Sequence, residues 1–167
     1  EFRHPRTGDP VRLESPPDFS TPPARQLRDA LIDRTLTTAF RAVHGAADGQ
    51  RGRYRDRLGE WQLSEGEVEP AVEDACTLLG AAEGPPDVRG VYFKRLLRQV
   101  RKTTVAEASP KLIAGAPAPE RFTVTENCVT FELGFAEGYS TGIFLDQRDN
   151  RRRLLHGHVA ANFPLYG

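Results

Sequence analysis

The sequence predicts an α+β fold: a small central α/β domain, then a β-hairpin, then one further strand and helix. Three observations carry it. "RYRDRLGEWQLS" reads as two extended runs around Leu58-Gly59-Glu60. "EVEPAVEDACTLLGAAEG" between that hairpin and the strand-like "VRGVYFKRLL" has helical spacing. "RFTVTENCVTFELGF" alternates Phe122, Val124, then Val129, Phe131 and Leu133 about a turn at Glu126-Asn127, the clearest hairpin in the chain.

In chain order, residues 1–23 carry prolines at 5, 10, 16, 17, 22 and 23, which forbid a helix and predict an extended arm. From Ala24, apolar residues at Leu27, Leu31, Leu36, Phe40 and Val43 predict one amphipathic helix. The second helix turns Val68, Val72, Ala75 and Leu79 inward and ends at Gly80 or Gly84, before Pro85-Pro86. "KLIAGAP" supplies a strand after Ser109-Pro110, and "YSTGIFL" another. Asp146 then caps a last helix, with Leu154, Leu155 and Val159 inward, until Pro164 stops it. The expected units are an arm over 1–23, a central domain over 24–116 and a terminal unit over 117–167.

The 167 residues suffice for a real core, and no apolar run approaches the roughly 18 residues that span a bilayer. No membrane partner is expected. Cys76 and Cys128 form no CxxC pair and no His/Cys cluster at metal spacing, so no metal site is expected and both cysteines read as structural. His44, His156 and His158 lack a Ser or Cys partner for a triad and read as surface or core-edge residues. The chain contains no methionine, which suggests a processed protein or a piece of a longer one.

Two segments carry binding chemistry. The net charge is zero, yet lysine occurs only at Lys94, Lys102 and Lys111, leaving arginine as the dominant cation. Arginine's planar fork suits phosphate, although base composition alone also enriches it. In "TGIFLDQRDNRRR", Arg148, Arg151 and Arg152 share one side of the last helix near its start, where they oppose the helix dipole. They answer either to an anion or to pairing with Asp146, Asp149 and other local acids. In "VRGVYFKRLLRQVRKTT", Arg89, Lys94, Arg95, Arg98, Arg101 and Lys102 interleave with Tyr92 and Phe93 without an acid. That reads as an RNA-binding surface, or as a solvated strand with Tyr92 or Phe93 in the core.

The string "ENCVTFELGFAEGYSTGIFLDQRDNRRR" resembles the linker hairpin and first Rossmann helix of the class I S-adenosylmethionine-dependent large-subunit rRNA (cytosine-5) methyltransferases. That family's pattern is close to E-N-G, an alternating strand, then T-G-x-F-x-D-Q-R-x-N-R. "RAVHGAADGQRGRYRDRLGEW" is similar to its H/N-G-x-x-D-G-x-x-G-x-x-x-D-R-x-G-D block. The resemblance covers roughly residues 25–163. It departs at Cys128, where the family has Gly, and at Tyr139-Ser140, where it has Gln-Lys; a domain resembling a PUA module precedes the family's central domain.

The resemblance implies that Thr141, Gly142, Asp146, Gln147 and Arg148 border a cofactor pocket completed by further βα units. It also implies ribosomal RNA as the partner, contacted by Arg89, Tyr92, Lys94, Arg95, Arg98, Arg101, Lys102, Arg151 and Arg152. Cytosine C5 methylation needs a thiolate nucleophile and a bound methyl donor. Neither cysteine here matches the family's catalytic motif, so the chain is expected to hold no catalytic residue and no complete S-adenosylmethionine pocket. Two functions follow. The first is a catalytically incomplete methyltransferase-like protein, a pseudoenzyme with rRNA and ribosomal proteins as partners in a ribosomal particle of a mitochondrion or chloroplast. The second is the N-terminal portion of an active rRNA methyltransferase with S-adenosylmethionine as cofactor, for which the cytoplasm is the alternative compartment. Neither implies a DNA partner.

Overall fold

The computed structural model describes residues 2–3, 10–11, 24–80, 87–96 and 102–158. Within the expected arm, β1 (Phe2–Arg3) and β2 (Pro10–Val11) pair antiparallel. The rest of that arm lies outside the described residues, as do Arg98, Arg101, Val159 and Pro164.

The expected α+β organisation is observed. After α1 (Ala24–Leu31), a five-stranded sheet runs β3 (Ala39–His44), β4 (Tyr54–Leu58), β5 (Trp61–Gly66), β6 (Gly90–Arg95) and β7 (Lys111–Gly115) in spatial order. All neighbours are antiparallel except β5 and β6, which are parallel. A parallel pair needs a crossover, and α2 (Val72–Gly80) supplies it. A four-residue helix α3 (Val105–Ala108) precedes β7, capped reciprocally by Thr104 and Glu107. The hairpin of β8 (Phe122–Glu126) and β9 (Val129–Leu133) follows, and α4 (Arg148–Leu155) is the last element described.

Several sequence expectations are corrected. The helix from Ala24 ends at Leu31 because the Asp33 carboxylate accepts from the Thr35 amide and hydroxyl, a local turn that competes with the helix. Phe40 and Val43 therefore belong to β3, and Leu27, Leu31 and Leu36 are exposed. In the second helix Ala75 is fully buried and Leu79 half-buried, but Val68 lies before the helix and both it and Val72 face solvent. The hairpin turn sits one residue later than expected, at Asn127-Cys128, whose φ angles of 50° and 67° fit a two-residue primed turn. "YSTGIFL" is not a strand: Gly142, at φ 107°, breaks it, and a 3-10 turn at Leu145–Gln147 leads into α4. Asp146 makes no cap hydrogen bond to that helix, whose N-cap is Gln147, and Leu154 and Leu155 are exposed.

Cross-strand register sorts the side chains of one sheet face. Ala39, Leu58, Trp61 and Gly90 form one row, with Arg41, Asp56, Leu63 and Tyr92 in the next. His44, Tyr54, Glu65 and Lys94 form the third. The face is thus apolar at one end and charged at the other. The hairpin covers the apolar end: Phe122, Val124, Leu133 and Phe135 join Ala39, Leu58, Trp61 and Tyr92 in one core. Aromatic contacts knit it together, Tyr92 to Phe135 at 4.1 Å and Phe122 to Phe135 at 4.9 Å between centroids. Backbone bonds fix the hairpin to the segment before β3: Thr38 N donates to Thr125 O (2.9 Å) and Cys128 N to Leu36 O (3.0 Å). This single core crosses the position expected for the boundary between the central and terminal units.

Candidate nucleic-acid and cofactor-facing site

The charged end of the sheet face is the floor of a cleft of about 640 Å³, and the segment from Tyr139 to Asp146 forms its opposite wall. Arg41 holds Asp56 with two hydrogen bonds, Nε to Oδ1 at 2.7 Å and Nη2 to Oδ2 at 2.9 Å. Its Nη2 also lies 3.5 Å from Glu65, which pairs in turn with Lys94. Lys94 Nζ donates to the Tyr139 carbonyl at 3.3 Å and lies 4.4 Å from that ring's centroid, tying floor to wall. Asp56, Glu65 and Lys94 are buried. Burial pushes the Asp56 carboxyl above its ordinary range, opposed by its hydrogen bonds from Arg41. Those same bonds raise the Arg41 guanidinium further.

At the rim, Arg28 pairs with Asp48 (2.5 Å), and the Asp48 carboxylate also accepts from the His44 amide. Burial opposes ionisation of Asp48, but the His44 amide and Arg28 outweigh it and hold the carboxyl below its ordinary value.

The wall segment is fixed from behind. Arg151 of α4 grips Glu126 at the end of β8 through Nε to Oε1 and Nη2 to Oε2, each 2.7 Å, and Nη2 also donates to the Phe144 carbonyl at 2.9 Å. Gly142 fits against Leu133, 3.0 Å from where a Cβ would lie. Of the residues expected to border a cofactor, Thr141 and Asp146 line the cleft, with Thr141 buried. Gly142, Gln147 and Arg148 do not line it; Gln147 Nε2 donates to Asp146 and its amide oxygen accepts from Asn150.

The residues expected to contact RNA divide into three groups. Arg89, Arg95, Lys102 and Arg152 are exposed, as an electrostatic surface requires. Tyr92 cannot stack on a base as expected: it is buried against Phe135, and its hydroxyl accepts from the Ala118 amide at 2.7 Å. Arg151 is corrected similarly, since it is committed to the buried Glu126 carboxylate, while Lys94 is buried beside Glu65 and lines the cleft floor instead of an open phosphate-binding surface. Arg98 and Arg101 lie outside the described residues. Arg41, Asp56, Glu65 and Tyr54 escaped the sequence reading: Arg41 fell in the run read as a helix and Glu65 just past the run read as a hairpin, while Tyr54 and Asp56 lay inside that hairpin run, where a charge on a covered sheet face needs a partner.

Among the described residues no group of His, Cys, Asp and Glu could hold a metal, and no helix is long and apolar enough to cross a membrane. Cys76 and Cys128 are both exposed, and neither lines the cleft.

The chain is similar in sequence and in fold to methyltransferases. The chain is 32% identical over 136 residues to ribosomal RNA large subunit methyltransferase I of Aliivibrio fischeri, covering 78% of this chain. It is 29% identical over 143 residues to the same-named protein of Erwinia tasmaniensis, covering 83%. It spans about a third of the length of these curated relatives, 33% and 36%. Among solved structures, a protein described as a methyltransferase in complex with SAH superposes with a TM-score of 0.59 at 26% identity, covering 78% of this chain and 32% of that one. One from Streptococcus mutans described as SAM-dependent gives the same TM-score and identity, covering 81% and 34%. No family model matches the chain.

Proposed function

We propose that this chain is the RNA-facing portion of a large-subunit rRNA methyltransferase-type protein, with Thr141–Arg148 as the near wall of an S-adenosylmethionine pocket. The observation that carries the reading is the Glu126–Arg151 bridge. It joins the "EN" turn to the "DQRDNR" block, the two halves of the motif on which the resemblance rests, and so fixes the orientation of Asp146 and Gln147 beside the cleft. The rRNA methyltransferases among the relatives support RNA as the partner. The SAH-bound neighbour supports the methyl donor. Arg89, Arg95, Lys102 and Arg152 supply exposed charge for phosphates.

The modification expected from the resemblance is methylation at cytosine C5. In this reading its thiolate comes from neither Cys76 nor Cys128, since neither lines the cleft. These residues by themselves bind and orient RNA and do not carry out the transfer.

The test is equilibrium binding of the native protein to a large-subunit rRNA fragment, with a DNA duplex of equal length as competitor. The reading predicts selective binding to rRNA; equal or stronger binding to DNA contradicts it. Labelled S-adenosylmethionine, added to the same sample with its intact mass recorded, separates two roles. Cofactor binding marks an enzyme's RNA-facing portion, and rRNA binding without it marks a scaffold in a ribosomal particle.

A further inference from the structure

The cleft floor has a property that the proposed function does not use. Its four buried or half-buried charges balance, Arg41 and Lys94 against Asp56 and Glu65. A phosphate placed there would meet two carboxylates at close range, a repulsion magnified by the low dielectric of a buried site. A neutral planar group carrying both donors and acceptors would not. The carboxylates keep lone pairs beyond those Arg41 and Lys94 occupy, because each ionised carboxylate offers about four. Lys94 has three ammonium protons, against the Glu65 and Tyr139 acceptors described above.

The walls favour an aromatic ring. Phe144 is 63% exposed and Tyr139 39%, an unusual display for large apolar side chains on a cleft lining, with Ile143 and Leu145 half-buried between them. Unpaired bases stack favourably on such rings. The 640 Å³ volume falls within the range of small-molecule sites and accommodates a nucleotide.

We infer that this cleft is a base-reading site for one unpaired guanine of the bound RNA, an inference resting on the RNA-facing reading above. Guanine alone among the four bases presents two adjacent donors, N1–H and N2–H, beside the O6 acceptor. The donors suit the Glu65 or Asp56 carboxylate, and O6 suits Lys94 or Arg41, as carboxylates and cations do in groove recognition. Uracil sets a single donor between two acceptors and matches this floor poorly. Tyr139 and Phe144 cover the ring.

The experiment compares binding of an oligouridine strand carrying one central guanosine with that of the all-uridine strand, by fluorescence anisotropy at fixed salt. The guanosine strand should bind at least about fivefold more tightly, the low end of what one bidentate base contact discriminates. Tyr139→Ala, at an exposed position outside the core, should remove most of that preference. Photo-crosslinking of a strand bearing 6-thioguanosine to the unmodified protein should label the peptide containing Tyr139 and Phe144. Equal affinity for the two strands, or crosslinks confined to other peptides, overturns the guanine site while leaving the RNA reading intact. Failure to bind either strand overturns both.

Discussion

Glu126 and Arg151, 25 residues apart, meet through two parallel hydrogen bonds of 2.7 Å, with the Glu126 side chain 1% exposed and that of Arg151 26%. Glu126 closes the first hairpin strand and Arg151 lies in the first turns of α4, so one pair fastens the last helix to the hairpin. The hydrogen bonds to Glu126 raise the Arg151 pKa further above its ordinary value, keeping it charged at any working pH.

Removing one partner strands the other. Arg151→Ala should destabilise the fold by about 2–4 kcal/mol, because a buried carboxylate left without its partner loses charge-assisted bonds it cannot replace from water. Urea unfolding of the two single variants and Glu126→Gln/Arg151→Ala together should give a coupling energy above about 1 kcal/mol. Additive effects would mean that the pair does not hold α4 in place.

Cys128 occupies a left-handed position, φ 67°, which L side chains adopt at a cost. Its side chain is exposed, so little packing is lost on truncation. Cys128→Gly should therefore stabilise the hairpin by about 0.5–1 kcal/mol, read as a higher urea midpoint at unchanged slope.

Gly115 lies at φ 81°, and a Cβ there would collide with the Arg89 carbonyl and lie 2.8 Å from Leu79 Cδ2. Gly115→Ala should cost about 2–3 kcal/mol from overpacking and strain combined. Because the clash is with backbone of the neighbouring β6 end, no side-chain rotation relieves it, and a thermal midpoint close to that of the unchanged protein would show that β7 shifts freely.

Asp48 titrates below its ordinary value of 3.8 in the folded protein, with burial outweighed by the His44 amide and the Arg28 guanidinium. A depressed folded pKa means that the unfolded chain takes up the proton first as pH falls. The stability Asp48 contributes is thus fully present above about pH 4–5 and is lost as pH drops through 3.8 and then the lower folded value. In acid titrations of unfolding free energy, Asp48→Asn should have lower stability at neutral pH and a shallower acid limb. Parallel limbs for the two proteins would rule Asp48 out as a source of the acid sensitivity.

How far the sequence carried the account differs by element. The two hairpins and the strands β6 and β7 follow from extended apolar runs and turn residues, and α2 from helical spacing, all of them local signals. The run from Leu27 to Val43 misled because its apolar residues fit a helical face while Asp33 and Thr35 form a turn that ends the helix. "YSTGIFL" misled because its apolar residues line a cleft instead of pairing in a sheet. Lys94 and Tyr92 looked like surface contacts in a one-dimensional count of basic and aromatic residues. Which face of a strand lands under a later hairpin is set by register between segments distant in sequence, and no local pattern encodes it. The same limit hid the Arg41, Asp56 and Glu65 network, whose members are brought together only by the order of the sheet.

The measurement that tests the central claim most directly is the salt dependence of association with a large-subunit rRNA fragment, for the unchanged protein and for Arg89→Ala/Arg95→Ala/Lys102→Ala. These three side chains are exposed, and none belongs to the buried core. The account predicts a linear fall of log K with log salt, a loss of more than about tenfold in affinity for the triple variant, and a slope shallower by roughly two to three. Coincident lines for the two proteins, or an affinity indifferent to salt, would contradict it.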